Sequence, residues 1–354
     1  MHDDVTFGII GAGNGGQSIA AHLGLHKKQV IIHDTDIEII KKLQTNGGIQ
    51  VNGTINGFGK ITLATTSIKE VISKSDVIMV VTPATAHKDV AQACAQYLTD
   101  GQIIILTPGA TGGVFEFHKI LKENNVQSDV ILSEIQSLFY ACRLNNTGIV
   151  NIHAEKKEMP ISTIPSNAAE YITSLLYDVF PQLTVTDNVL QTSLNNINPI
   201  LHPTPTLLNM GLIDREDSFL FYLEGITPRI AEIIEQLDLE RMEIGKVLKI
   251  EMKSTLNWLQ IFYGVSANNI YETVQENKAY KKIKSPGTLD SRFLLEDIPM
   301  GLVPMIEIGE LSGVPVPKMR SITRLAEMVC GEKIWDYART LNTLGIQNLK
   351  DIRI

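Results

Sequence analysis

One histidine in the second half of the chain has the side chain and the setting for acid–base chemistry. His202 lies in the stretch 195–203, and no other histidine follows His153. An imidazole with its ordinary pKa of about 6.5 can both accept and donate a proton near neutral pH. Pro203 follows directly, which disfavours helical geometry at His202 and predicts a helix that ends at the imidazole. The alternative is a hydrogen-bonded structural histidine, and this stretch alone does not decide between the two.

A second group of charged residues lies about ninety positions further along the chain. Arg292 and Asp297 are five residues apart, with aromatic and apolar residues between them. A guanidinium can bind a carboxylate through two hydrogen bonds, and an aspartate beside an imidazole fixes its tautomer and raises its basicity. With His202, the two residues would form a carboxylate anchor and a His–Asp acid–base pair. The spacing is equally compatible with an ion pair between Arg292 and Asp297 at the surface.

A glycine-rich turn near the N-terminus predicts where a dinucleotide would bind. It follows an apolar run at 5–10, precedes a helical pattern at 17–25, and consists of Gly11, Ala12, Gly13, Asn14, Gly15 and Gly16. The G-x-G-x-x-G spacing serves a tight turn, a close backbone approach to a pyrophosphate and close packing of helix on strand. The N–H groups and dipole of the helix N-terminus would then attract the phosphates. Alone the motif is weak evidence, because glycine-rich turns also occur for packing reasons.

Asp34 strengthens this interpretation and predicts which cofactor binds. It ends the next apolar strand, 18 residues after Gly16, near the position of the acid that binds the adenosine ribose in such domains. A carboxylate there accepts hydrogen bonds from the ribose hydroxyls and would repel a 2′-phosphate, and no arginine follows among residues 35–38. We therefore expect NAD rather than NADP. The alternative is an exposed acid that merely ends a strand.

Strand and helix patterns alternate through the first half of the chain. We predict strands at 61–63, 77–81, 103–106 and 130–132, and helices at 37–46 and 86–97. This alternation predicts an α/β Rossmann domain with a doubly wound, mostly parallel sheet. Ligands of such sheets bind at the carboxyl ends of the strands, which predicts a cofactor groove lined by Thr82, Pro83, Thr107, Pro108 and Gly109. For the two prolines, ordinary turn chemistry is an equal alternative.

Further along, the pattern changes from alternating to helical. Residues 149–164 predict two strands around a turn at 154–158, followed by a helix at 168–180. Thr227 and Pro228 predict the N-cap and first position of a long helix whose apolar residues, from Ile230 through Val247 to Leu248, would form one buried face. The expected domains are an α/β dinucleotide-binding domain at 1–187 and an all-helical substrate domain at 188–354.

Composition narrows the function classes. The net charge is −8 and the densest basic cluster, at 278–284, lies in a polar connection, so nucleic acid is not an expected partner. Three cysteines, odd in number and widely spaced, provide neither a disulfide framework nor a Cys-x-x-Cys metal site, which fits a reducing cytoplasm. The first four residues lack a basic signal region, and no apolar run reaches the roughly 18–20 residues of a membrane span. Neither export nor a membrane location is expected.

Four motifs together resemble the opine dehydrogenase family, which includes octopine and nopaline dehydrogenases. They are GAGNGG at the N-terminus, NPILHP around His202, SRFLLEDIPMGLVP from Ser291, and GVPVP from Gly313. The resemblance covers nearly the whole chain and implies a Rossmann domain followed by an all-helical domain. It also implies a reaction that joins the α-amino group of an amino acid to an α-keto acid, often pyruvate, and reduces the imine with NAD(P)H.

The resemblance also implies roles for individual residues. His202 would be the acid–base group, Asp297 its partner, and Arg292 a ligand of a substrate carboxylate. Less specific candidates for the cleft are Asn198, Thr204, Glu134 and Arg143. The amino acid is not identified by the sequence, and four large side chains that could line its pocket are each expected in the core instead: Tyr222, Trp258, Tyr263 and Met300.

Two other functions are compatible with a dinucleotide-binding domain and a helical domain. A reductase resembling ketopantoate reductase would rely on a lysine in the helical domain, whereas no lysine lies between Lys157 and Lys246. A non-catalytic NAD-binding sensor would need only the motifs of the first domain. The oligomeric state is open, although the long apolar helix would suit a homodimer interface as well as a core.

Overall fold

The computed structural model describes residues 5–352, without the side chains of Glu332 and Lys333. The first four residues, on which the expectation of no export signal depends, lie outside this range. The described chain forms two compact units, described separately below. The first comprises residues 5–109 and 113–192, and the second comprises residues 110–112 and 193–352. The unit boundary at 192 lies close to the predicted domain end at Asp187.

The described residues contain twelve strands. They are β1 Thr6–Ile10, β2 Gln29–His33, β3 Gly48–Gly53, β4 Gly57–Lys60, β5 Leu63–Thr65, β6 Val77–Val80, β7 Ile103–Leu106, β8 Ile131–Ile135, β9 Tyr140–Asn146, β10 Ile149–Glu155, β11 Met159–Ile164 and β12 Leu183–Val185.

Seventeen α-helices lie in the same range. They are α1 Asn14–Leu25, α2 Ile37–Asn46, α3 Ile68–Ser73, α4 His87–Ala95, α5 Gly113–Glu123, α6 Ala169–Leu176, α7 Val189–Leu194, α8 Asn198–Leu201, α9 Pro203–Leu208, α10 Met210–Asp214, α11 Pro228–Leu248, α12 Thr255–Tyr263, α13 Ile270–Glu276, α14 Arg292–Leu295, α15 Val303–Leu311, α16 Pro317–Cys330 and α17 Leu341–Leu344. A π-helical turn at Ile298–Leu302 leads into α15, and 3₁₀ turns lie at Ala84–Ala86, Ser166–Ala168, Lys278–Tyr280 and Glu332–Tyr337. None of the helices in the described range is long and apolar enough to cross a bilayer.

The first unit is built on an eight-stranded sheet of order β12-β11-β8-β7-β6-β1-β2-β5. All neighbouring pairs are parallel except β8 and β11. The buried apolar strands β1, β6 and β7 lie at its centre, as expected for a parallel sheet covered on both faces. The prediction of an α/β domain with a mostly parallel sheet is confirmed.

Of a second sheet, which has the order β4-β3-β10-β9, only β10 was predicted, and β9 was missed along with β3 and β4. The turn that joins β10 and β11 agrees with the sequence pattern, but β3 and β4 were missed because their glycines give a weak strand signal. One of those glycines has a packing reason: a Cβ on Gly59 would lie 2.1 Å from the carbonyl oxygen of Ala21, so β4 packs directly against the backbone of α1.

Several predicted bounds in this unit need correction. The strand expected at 61–63 overlaps β5 only at Leu63, because residues 61 and 62 form the link from β4. The helix expected at 168–180 ends at Leu176, and the strand expected at 130–132 continues to Ile135. Helices α3 and α5 were not predicted. The short α3 begins at an N-cap serine, Ser67, whose side chain accepts a hydrogen bond from the N–H of Glu70.

The second unit is helical, with α11 as its longest element. Thr227 caps α11 by accepting a hydrogen bond from the N–H of Ile230, and Pro228 occupies its first position, as predicted. The expected buried face is wrong in one respect: Val247 is 46% exposed, whereas Arg241 is fully buried. The apolar periodicity could not reveal this, because Arg241 is held by polar partners rather than by the apolar stripe.

Arg241 ties α11 to two other segments of the second unit. Its guanidinium donates to the Asp238 carboxylate, to the carbonyl of Leu194 and to the carbonyl of Lys253. Asn195 adds bonds to the same loop, donating to the Glu251 carbonyl and accepting from the Lys253 N–H. A buried charge is tolerated where it is paired and fully hydrogen-bonded. This network fixes the start of the stretch that carries His202.

Candidate functional site

The glycine turn of the first unit has the geometry that a dinucleotide site requires. Gly11 adopts φ +101°, in the region that favours glycine. A Cβ on Gly16 would lie 1.7 Å from the carbonyl oxygen of Gly11, so a side chain there is excluded and α1 begins close against β1. A Cβ on Gly13 would meet nothing within 4 Å, which leaves space beside the helix N-terminus. Gly11 and Gly16 thus meet the steric demands of the motif, and the space beside Gly13 is compatible with a bound phosphate.

Asp34 and Thr82 flank this turn. The Asp34 carboxylate accepts hydrogen bonds from the N–H of Ala12 at 2.7 Å and from the N–H of Asp36 at 3.0 Å, so it also fastens the turn to the end of β2. The Thr82 hydroxyl is buried and has no hydrogen-bond partner among residues 5–352, and its methyl group lies beside Gly11. The open glycine turn, the unpaired hydroxyl of Thr82 and the carboxylate of Asp34 lie where strands end. Together they are suited to binding a dinucleotide.

The segment after β7 contributes further backbone to the same edge of the sheet. The Thr107–Pro108 peptide bond is cis, and the hydroxyl of Thr107 donates to the carbonyl of Ser137. A Cβ on Gly109 would lie 2.6 Å from the Cβ of Glu134, so only glycine fits there. Pro83, which follows Thr82, is exposed.

Two candidate cleft residues of the first unit have other surroundings. Glu134 is almost fully buried, and its carboxylate accepts hydrogen bonds from the Thr192 hydroxyl at 2.6 Å and the Val114 N–H at 3.1 Å. Arg143 is an exposed residue of β9 in the smaller sheet. Glu134 therefore joins β8 to α7 and α5 through these two hydrogen bonds. This structural role accounts for a charged residue at the end of a buried strand.

His202 in the second unit joins two short helices rather than ending one. Its dihedrals, φ −91° and ψ −45°, are helical, so the predicted non-helical geometry is wrong. The reason is that Pro203 occupies the first position of α9, where no N–H is needed, while the His202 carbonyl accepts hydrogen bonds from the N–H and hydroxyl of Thr206. The His202 N–H donates to the carbonyl of Asn198, which continues the backbone ladder from α8.

The structure brings His202 and Asp297 together. The Nδ1 atom of His202 lies 2.8 Å from Asp297 Oδ2, and the two side chains are only 12% and 14% exposed. Burial raises the pKa of Asp297, and the hydrogen bond from His202 opposes that rise. An ionised carboxylate can only accept hydrogen bonds, so we assign the ring proton to Nδ1, which donates to Asp297 and leaves Nε2 as the acceptor nitrogen of the neutral ring.

A close backbone approach explains how residues 95 positions apart meet. A Cβ on Gly301 would lie 2.1 Å from Cγ of Pro199, so the π-helical turn after Asp297 packs directly on α8 before His202. Both prolines of NPILHP thus serve the pairing: Pro199 makes the contact and Pro203 starts the next helix. Only the proline and glycine signals of these motifs were visible in the sequence, not the contact between them.

Aromatic side chains complete the surroundings of the imidazole. Phe293 stacks on it with ring centroids 4.4 Å apart, and the Tyr222 hydroxyl lies 2.9 Å from Nε2. Tyr222 was expected in the core and is buried, but sequence reasoning missed its bond to His202 because nothing in its own neighbourhood signals one. Trp258 and Met300 are buried as expected, whereas Tyr263 is 38% exposed.

Arg292 does not pair with Asp297 at the surface. Its Nε–H instead bonds the carboxylate of Glu296, one helical turn later, and its own side chain is 71% exposed. Of the remaining candidates, Asn198 is exposed at the first position of α8. Thr204 is fully buried, with a hydroxyl that has no hydrogen-bond partner in the described chain.

Fold and sites define a class, namely dehydrogenases with a dinucleotide-binding α/β unit and a helical unit that carries a His–Asp pair. The model for the N-terminus of NAD-dependent glycerol-3-phosphate dehydrogenase matches residues 6–137, and that for the alpha-helical domain of NAD/NADP octopine/nopaline dehydrogenase matches residues 185–330. An opine dehydrogenase of Arthrobacter sp. (strain 1C) is 37% identical over 350 residues, which are 99% of this chain and 97% of that protein. This chain belongs to the opine dehydrogenase family, whose members are NAD(P)-dependent oxidoreductases acting on CH–NH bonds.

More distant relatives agree with this assignment. A vitopine synthase of Allorhizobium ampelinum (strain ATCC BAA-846 / DSM 112012 / S4) is 25% identical over 291 residues, covering 81% of this chain and 79% of its own. A solved structure of octopine dehydrogenase with NADH and L-arginine has the same fold, with a TM-score of 0.84 at 20% identity, covering 99% of this chain and 98% of that one. The predicted family is confirmed, which decides against a ketopantoate reductase.

Proposed function

We propose that this protein condenses the α-amino group of an amino acid with an α-keto acid, pyruvate first among them, and reduces the product with NADH, and that it also catalyses the reverse oxidation. The observation that carries the proposal is the buried His202–Asp297 pair in the helical unit. When bound, NADH supplies the hydride. The glycine turn Gly11–Gly16, Asp34 and Thr82 would hold it, with Pro83, Thr107 and Gly109 along the same sheet edge.

His202 is proposed as the acid–base group. The amino acid arrives as an ammonium ion and must lose a proton before its nitrogen can attack the keto carbon, and the carbinolamine that forms must gain a proton to release water. One imidazole can hold that proton between the two steps. Asp297 keeps the ring in the tautomer that accepts at Nε2 and neutralises the imidazolium once it forms. Because the pair is buried, an imidazolium without a counter-charge would be costly there, and the Asp297 carboxylate supplies that counter-charge.

Arg292 is proposed to bind a substrate carboxylate. Both substrates carry a carboxylate, so a fixed cation is needed to place at least one of them. A guanidinium has five N–H donors, and only the Nε–H of Arg292 is used by Glu296. The Glu296 carboxylate therefore fixes the orientation of the guanidinium while its outer edge remains available for a bidentate bond.

The test is a coupled-substrate assay of the purified protein. We expect loss of NADH absorbance when pyruvate or another keto acid is supplied together with a suitable member of a panel of amino acids, and no loss with the keto acid alone. Turnover with the keto acid alone would instead indicate a simple 2-keto acid reductase. Absence of turnover across the panel and across several keto acids would contradict the proposal.

Two broader proposals concern the whole chain. We propose a homodimer, supported by Leu239 and Val247, which are 69% and 46% exposed and lie two turns apart on one face of α11. Light scattering of the protein as it elutes from a size-exclusion column tests the homodimer, and a monomeric mass at micromolar concentration would exclude it. We also propose a reducing cytoplasm as its location, since Cys94, Cys142 and Cys330 are all free thiols.

A further inference from the structure

Both ring nitrogens of His202 already have partners in this structure. Nδ1 is bonded to Asp297 Oδ2 at 2.8 Å, and Nε2 lies 2.9 Å from the hydroxyl oxygen of Tyr222. Because Nδ1–H donates to the carboxylate, Nε2 accepts the hydroxyl proton of Tyr222. Any proton that His202 exchanges with a substrate therefore passes through the Tyr222 hydroxyl, unless the tyrosine ring first moves away.

Packing holds the Tyr222 ring in place. The ring is 6% exposed and stacks face to face on Tyr280, with centroids 3.8 Å apart and planes at 11°. It also packs edge-on against Phe221 at 5.0 Å. Moving the ring aside would break this stack and expose its apolar surface, which makes displacement costly.

The backbone that carries Tyr222 is anchored to the helix that His202 begins. Asn209, at the end of α9, donates from its side-chain amide to the carbonyl of Gly225 at 2.9 Å and to that of Pro205 at 2.8 Å. Residues 221–225 form a turn, and a Cβ on Gly225 would lie 2.3 Å from the carbonyl oxygen of Phe221, so the turn is tight. Tyr222 and His202 are thus held on one framework.

We propose that the Tyr222 hydroxyl is a catalytic residue, the relay that passes protons between His202 Nε2 and the reacting nitrogen and oxygen of the substrates. This inference rests on the proposed function and deepens it. It assigns to Tyr222 the contact with the substrate that His202, with both nitrogens occupied, does not make directly.

The relay conserves protons at each step. In the first step an N–H bond of the substrate ammonium breaks, its proton joins the Tyr222 oxygen, and the original hydroxyl proton moves to His202 Nε2. In the second step the Nε2 proton returns to the Tyr222 oxygen, and the hydroxyl proton passes to the carbinolamine oxygen, which leaves as water. Burial raises the pKa of Tyr222 far above its usual value, so its hydroxyl gives up one proton only as it gains another.

The test compares Tyr222→Phe with a matched variant, Tyr280→Phe. Both remove one hydroxyl and keep the stacked rings, but only the first removes the bond to His202. We expect kcat of Tyr222→Phe to fall about a hundredfold, in the range typical of a lost proton-transfer group, with NADH affinity unchanged. Tyr280→Phe should keep wild-type kcat. An undiminished or increased kcat of Tyr222→Phe would overturn the relay. It would show that Tyr222 only covers His202 Nε2 and moves aside when substrate binds.

A second measurement is independent of turnover. Nuclear magnetic resonance of protein labelled with nitrogen-15 histidine reports how fast the proton on His202 Nε2 exchanges with water at mildly acidic pH, with His202→Ala identifying the signal. If the Tyr222 hydroxyl carries the proton, exchange of the His202 Nε2 proton with water slows in Tyr222→Phe. If the hydroxyl only shields Nε2 from water, that exchange becomes faster in the variant, and the relay is rejected. Should the wild-type protein oxidise no NADH with any substrate pair, the proposed function fails, while this measurement still decides on the relay.

Discussion

At the scale of single residues, the buried His202–Asp297 hydrogen bond gives the most direct prediction. His202→Ala should lower kcat by roughly a thousandfold, because the proton acceptor is lost, while NADH binding remains nearly intact. Asp297→Asn should lower kcat by about a hundredfold or more, since an amide can offer its own N–H to the ring and favour the wrong tautomer. Stopped-flow turnover and NADH fluorescence titration measure the two properties, and near-normal turnover of His202→Ala would show that another group moves the proton.

A second residue-scale prediction concerns cofactor choice. Asp34→Asn should raise the ratio of kcat/KM with NADPH to that with NADH by about tenfold, because a carboxylate would no longer repel the 2′-phosphate. Asp36→Asn, two residues away at the N-cap of α2, is the matched control and should leave the ratio close to that of the wild type. Equal efficiency of the unaltered protein with the two cofactors would remove the role assigned to Asp34.

What could be predicted at this scale follows from how local each signal is. The glycine turn, Asp34 and the residues of NPILHP could be found because the constraints on them lie within a few neighbouring positions. Glu296 and Tyr222 could not, since their significance arises from contacts with Arg292 and His202 that the folded chain creates. The roles of the candidate residues stay predictions until variants are assayed.

At the scale of elements, the contact between α8 and the π-helical turn before α15 sets the position of the imidazole. Gly301→Ala should destabilise the protein by about 1–3 kcal/mol, because the added methyl group would overlap the Pro199 ring. It should also lower kcat by moving His202 relative to Asp297. Gly211→Ala, in α10, is the control, since a Cβ there meets nothing within 4 Å and alanine favours a helix. Chemical denaturation of both variants checks this, and equal stability would show that the contact is loose.

The elements also show where sequence patterns fail. Strong apolar runs identified β1, β2 and β7 closely, and capping chemistry identified the start of α11. The glycine-rich β3 and β4 escaped because their glycines interrupt the strand signal of Ile49, Val51 and Phe58, and β4 packs directly against the backbone of α1. At His202 the local effect of the following proline was outweighed by hydrogen bonds from Thr206.

At the scale of the whole molecule, buried histidines predict how acid affects stability. Burial lowers the pKa of His22 from 6.5 to about 4, and burial also lowers the pKa values of His33 and His118, all three in the first unit. Below pH 6.5 the unfolded chain gains protons that the folded chain refuses, so this stability is present above pH 6.5 and is lost as the pH falls toward 4. For His22 alone the loss approaches about 3 kcal/mol.

The measurement is urea unfolding at pH 7 and pH 5. The free energy of unfolding should be lower at pH 5 in the wild type. In His22→Gln the difference between the two pH values should shrink, even though loss of the bond to the Tyr140 hydroxyl lowers stability at pH 7. An unchanged difference in that variant would show that His22 is protonated in the folded protein.

The three-residue excursion 110–112 has a consequence for exchanging parts between relatives. Although these residues follow β7, they belong to the helical unit: the N–H of Thr111 donates to the carbonyl of Met300, Arg339 donates to the carbonyl of Thr111, and the Gly112 N–H donates to the Ser193 hydroxyl. In a chimera joined only at residue 192, the helical unit would come from one protein, whereas residues 110–112, which pack within that unit, would come from the other. When the C-terminal half is exchanged between family members to change substrate preference, residues 110–112 should be exchanged with it.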